Sequence, residues 1–148
     1  MTKVFNIAAL AVAATAPLHV KSPSGEPLYA DAERKLPILI HLYGPGSEIA
    51  GVIESRQTSR TYKRMQDNDG KVTAATREER ITETSQDLAS LTARFENFEY
   101  QPDGATEPLT GEALFRAVYA DQSLGFITKQ VVKFFGDWGN FSAASKAA

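Results

Sequence analysis

Cysteine is absent from this sequence. That excludes a disulfide framework, a thiol nucleophile and any cysteine metal site. Histidine occurs only at His19 and His41, each inside an alternating apolar run where a packed or surface imidazole is the ordinary role. Two isolated histidines without a thiol do not make a zinc ligand set. No apolar run reaches the roughly 18–20 residues that a membrane helix needs, so no membrane partner is expected. Charge of one sign is also missing: 16 basic residues face 18 acidic ones, for a formal net charge of −2. Such a balance supplies no bulk attraction to nucleic acid, and none is expected as a partner.

Catalytic parts are equally scarce. Gly44-Pro45-Gly46-Ser47 precedes a helix pattern, but it lacks the lysine and the spacing of a phosphate loop. Pro45 also removes one amide donor, so the stretch reads as a plain strand-to-helix turn. Glu78 and Glu79 are adjacent and diverge on a helix, while Asp137 suits a cap for the turn that follows it. Nothing isolates an acid/base pair in two environments. No enzyme, cofactor or metal is expected.

What is present is one domain's worth of chain, 148 residues, with an ordinary apolar share. Residues 4–16 follow Lys3 without a charge and outline a short secretory signal, with Ala14-Thr15-Ala16 as its cleavage site. Asn6 interrupts that run and Pro17 would follow the cut, so a structured segment is expected, as a helix, strand or arm over residues 5–14. Residues 18–22 and 27–29 alternate around the turn Pro23-Ser24-Gly25-Glu26, which predicts a hairpin. Residues 36–43 add a third strand rich in β-branched and aromatic side chains.

Ser47 is placed to cap a helix over residues 48–67. Asn68-Asp69-Gly70 stops it. Thr73, or Thr76 with Glu79 as a capping box, starts a second helix to about Phe98. Ile81, Thr84, Leu88, Leu91, Phe95 and Phe98 form its seam, and the two helices should pair antiparallel. After a loop over 100–108, Thr110 caps a short helix at 112–119, Asp121 or Ser123 caps another, and Gly136 offers a left-handed stop. The expected fold is therefore an α-rich α+β domain. A small antiparallel N-terminal sheet (a hairpin plus a third strand, residues 1–46) precedes a helical part at 47–141 and a frayed tail at 142–148.

Two surfaces stand out. Arg56, Arg60, Lys63 and Arg64 make a basic helix face, suited to solvent or to an acidic protein partner. Residues 114–141 hold five of the eight Phe and the only Trp. Within them Leu124, Ile127, Val131, Phe134 and Trp138 recur at helical steps, widened by Val132 and Phe135. Leu124, Ile127 and Val131 should pack inward. Trp138 and Phe141, with Phe134 and Phe135, are the expected contact surface, joined by Arg56 and Arg60.

Three stretches together resemble the tail assembly chaperone family of long-tailed bacteriophages and prophages. They are FNIAALAVA at 5–13, ILIHLYGPGSE at 38–48 and LFRAVYADQSLGFITKQVVKFFGDWGNF at 114–141. The region of Arg56–Arg64 and the loop after Tyr100 agree only in general character. The resemblance implies a protein without catalytic residues that works in the bacterial host cytoplasm. Such a protein binds the helical tape-measure protein, keeps it soluble and helps recruit tail tube subunits, and it is absent from the mature virion. It leaves self-association and a frameshifted longer product open. The alternative is a structural minor tail or head-tail connector protein retained in the particle.

Overall fold

The computed structural model describes residues 4–142. Its elements, in chain order, are β1 (Thr15–His19), β2 (Leu39–Tyr43), α1 (Glu48–Asp67), α2 (Arg77–Leu91), β3 (Thr92–Glu96), α3 (Gly111–Ala120) and α4 (Gly125–Gly136). The strands form one antiparallel sheet in the order β1-β2-β3. The fold is thus a small α+β domain, as expected. Strand alternation sets its layers: Ala16, Leu18, Ile40 and Leu42 point to the buried face. Against them lie Leu88, Ala89 and Leu91 of α2, Leu114, Val118 and Tyr119 of α3, and Ile127 and Val131 of α4.

The sheet is not assembled as expected. The 18–22/27–29 hairpin is reduced to an isolated bridge between Lys21 and Pro27, closed by Ser22 N–H donating to Glu26 O at 2.8 Å. β1 lies earlier, at Thr15–His19, and pairs directly with β2. The third strand comes from beyond the helical pair. Residues 92–96, expected to continue α2, leave the helix at Thr92 (φ −90°, ψ 120°) and join β2. Two side-chain patterns overlap here. Leu91 to Phe95 is a helical step, but Arg94-Phe95-Glu96 also alternates. Pairing with β2 decides between them. Phe95 then packs on Phe98, Phe115 and Tyr119, with ring centroids 4.5, 4.7 and 6.1 Å away. The Thr92 hydroxyl donates to Leu88 O at 2.8 Å and shares a 2.7 Å bond with the Tyr119 hydroxyl, which satisfies both buried groups.

The helix starts follow local chemistry. Ser47 accepts from Ala50 N–H and caps α1, and Thr76 with Glu79 forms a complete capping box on α2. Three other expectations fail. Thr110 precedes α3 without a side-chain capping bond. Asp121 caps only a 3₁₀ turn (Gln122–Leu124) that leads into α4. Gly136 closes α4 without entering the left-handed region, and Asp137 after it is extended. Residues 5–14 form a 3₁₀ turn at Ile7–Leu10, capped by Asn6, and then an extended stretch. Most of the 142–148 tail lies outside the described residues.

Candidate partner-binding surface

The C-terminal aromatic set divides at one turn. After α4, the Asp137 carboxylate accepts from Gly139 N–H at 3.0 Å and caps a 3₁₀ turn at Trp138–Phe141. Asn140 Nδ2 donates back to Phe134 O at 3.0 Å, which fixes the turn against the helix end. This sends two neighbouring aromatics in opposite directions. Phe141 is fully buried and meets Phe134 edge-to-face at 5.4 Å. Trp138 remains 55% exposed.

Phe141 was expected at the contact surface, and its burial removes it from there. Gly44 is the reason. A Cβ on Gly44 would lie 3.1 Å from Phe141 Cδ1 and 3.0 Å from Ala13 O, so any side chain there would crowd the ring on the end of β2. Ala13 N–H donates to Phe141 O at 2.6 Å, and Gly44 N–H to Ala14 O at 2.8 Å. The two ends of the described chain therefore meet over this turn. Gly46 lies against Val12 and Trp138 at ordinary packing distance: a Cβ there would sit 3.5 Å from Val12 Cγ2 and 3.6 Å from the indole.

Other apolar side chains of α4 also reach the surface. Val132 is exposed and Phe135 half-buried, and both line a groove of about 470 Å³ between α1, α2 and α4, with Ala50 and Leu91 beside the polar Glu54, Gln57 and Asp87. Phe134 is half-buried and packs on the core. The arm emerges beside Gly46, where Val12 packs. It carries Val4, Phe5, Ile7 and Leu10, the least buried at 87% exposure and the most at 63%. Sequence reasoning treated the arm only as structure. The signal for it was the uncharged run from Val4 to Val20, too apolar for solvent and supplying no core residue before Ala16. A second groove, about 700 Å³, lies between α1 and α3 over Tyr43, Ile49, Val52 and Phe115.

Arg56 and Arg60 are placed elsewhere. Arg60 Nη1 donates to both oxygens of buried Asp87 at 2.9 and 2.8 Å, and Arg60 Nη2 to Gln86 at 3.0 Å. Arg56 reaches Asp87 at 3.5 Å and the Ser90 hydroxyl at 3.3 Å. Arg64 continues the series with a double hydrogen bond to Glu83 at 2.8 and 2.7 Å. The basic face expected to meet solvent or an acidic partner thus binds α2 of its own chain. Its arginines are committed to an internal ladder.

Titratable groups offer little chemistry. His41 Nε2 lies 2.8 Å from Glu96, and this hydrogen bond holds the Glu96 carboxyl below its usual range. Burial pushes the Tyr119 phenol well above its ordinary value, and the group serves as a core strut. His19 pairs with Leu28 O at 2.8 Å and packs edge-on to Tyr29. Among the described residues no three His, Asp or Glu side chains gather in a metal-binding group. None of their helices is long and apolar enough to cross a membrane. No protein-family model, curated protein or solved structure matches this chain.

Proposed function

We propose that this protein is a phage tail assembly chaperone that acts by protein–protein contact. In this reading it covers apolar helical stripes of the tape-measure protein in the host cytoplasm, helps bring tail tube subunits to it, and leaves before the virion matures. The carrying observation is the exposure of apolar side chains toward both ends of the chain, Trp138 and Val132 in the C-terminal segment and Phe5 and Ile7 on the arm, whose Val12 lies with Trp138 beside Gly46. Those ends are also where the sequence resemblance is strongest. An apolar helical stripe laid into a groove is a common recognition mode, and many copies along one long partner would supply avidity even where each contact is weak.

Co-expression with the long helix-rich product of a neighbouring reading frame tests the proposal. The wild-type chain should move that product into the soluble fraction. Trp138→Ala with Val132→Ser, and separately Phe5→Ser with Ile7→Ser, should reduce the effect several-fold while the variants stay folded. Folded variants that rescue as well as wild type would place the contact elsewhere. Recovery of the protein from purified virions by mass spectrometry would favour a retained structural tail component.

A further inference from the structure

The sheet ends in two edges of different character. Val20 N–H donates to Ile38 O and Gly44 N–H to Ala14 O, both on the β1–β2 register. Hydrogen-bonded and non-bonded pairs alternate along an antiparallel ladder, so Pro17–His41 is a non-bonded pair. Pro17 therefore sits where β1 turns its main-chain groups away from β2, and a proline there blunts that edge by supplying no donor. His41 in turn directs its own main-chain groups to Arg94 of β3. The next residue of β3, Phe95, is then left with its N–H and C=O aimed outward, and no loop bond from the described residues reaches them. The β3 edge has no proline.

The side chains flanking Phe95 carry opposite charges. Arg94 is exposed, and the Glu96 side chain is 43% exposed, both on the sheet face that bears His41. Arg94 Nη2 lies 3.3 Å from His41 Nε2, the nitrogen that also meets Glu96. An antiparallel second strand centred on Phe95 would exchange two main-chain hydrogen bonds there. It would also set each Arg94 opposite the other copy's Glu96. Centring one residue earlier sets Arg94 against Arg94, and one later sets Glu96 against Glu96, and like charges directly opposed are destabilising. The edge is complementary to itself in one register only.

We infer that two copies of this chain pair antiparallel through β3 about a two-fold axis at Phe95. The ladder is short, because the register shifts at Ala93 on one side and Asn97 turns left-handed (φ 57°) on the other. Association is therefore concentration-dependent and weakens with salt. It uses neither Trp138 nor the arm, so it stands apart from the proposed partner contact.

Sedimentation velocity of the full chain at low ionic strength, over a concentration series, tests this. The wild-type average sedimentation coefficient should rise toward that of a dimer. Arg94→Glu and Glu96→Arg should each raise the dissociation constant about tenfold or more. An equimolar mixture of the two variants should recover association, since one edge carries two acids and the other two bases. Should Glu96→Arg misfold on losing its His41 bond, Glu96→Gln replaces it and should give an intermediate weakening. A wild-type chain that stays monomeric throughout, its edge left for a different protein or for none, overturns the inference. So does a mixture of folded charge variants that fails to associate.

Discussion

The two sides of α2 meet different neighbours by different means. Leu88 and Leu91 belong to the apolar core formed with the sheet, α3 and α4. Toward α1, Asp87, Glu83 and Glu79 meet Arg56, Arg60 and Arg64 in an antiparallel ladder. Of the 20 residues of α1, only Ile53 is buried. The apolar side is held by removal of surface from water, which salt hardly weakens. The ionic side is held by directed, charge-assisted hydrogen bonds, strong where desolvated and weak where wet. α2 thus joins the apolar core to α1, which adds only Ile53 to that core and is otherwise held largely by contacts that depend on the medium.

The largest expected effect comes from the apolar side. Phe141→Ala should cost about 3–5 kcal/mol in urea unfolding, as for other fully buried rings, and the loss should be nearly the same at low and high salt. On the ionic side, Asp87→Ala should cost about 2–3 kcal/mol, because it removes the carboxylate that takes both Arg60 Nη1 bonds and leaves that half-desolvated guanidinium only Gln86 and a longer contact with Glu83. Hydrogen exchange should then speed up across α1 while β2 and α4 keep their protection. A uniform increase over the whole domain would show that the two sides are not separable. In wild type, raised salt should loosen the exposed Arg64–Glu79 end before the buried Arg60–Asp87 contact.

The smallest effect concerns the start of α2. The Glu79 carboxyl is held below its usual 4.5 by hydrogen bonding to Thr76, with Arg64 adding to it. A lowered folded-state value means the contribution is complete above pH 4.5 and lost as pH falls through the folded value. Thr76→Ala should cost about 1 kcal/mol at neutral pH, and somewhat less as pH falls through the folded Glu79 value, while the bond from Glu79 N–H to the Thr76 hydroxyl persists. A cost unchanged between pH 7 and pH 3 would separate the cap from that carboxylate.

Features specified by neighbouring residues were legible in the sequence, among them Ser47 as a cap, the Thr76–Glu79 box and α1 from Glu48 to Asp67. β3 was not, because its apolar spacing suits a helix as well, and only pairing with residues more than 50 positions away resolves it. The arginine face was visible, but its destination was missed. The signal was a matched step of four, Arg56-Arg60-Arg64 against Glu79-Glu83-Asp87, which two antiparallel helices can align. Of the aromatic cluster, sequence spacing could not separate Phe141 from Trp138. That choice depends on the space above Gly44, set by a distant turn.

The seating of Phe141 on Gly44 also constrains how the molecule comes into being. During synthesis β1 and β2 leave the ribosome about a hundred residues before the ring that covers their end. Until position 141 clears the exit tunnel, Ala13 lacks its acceptor and the arm is untethered. A nascent chain of this protein therefore leaves the end of its first two strands uncovered while nearly a hundred more residues are made, and the arrival of Phe141 is what shuts it.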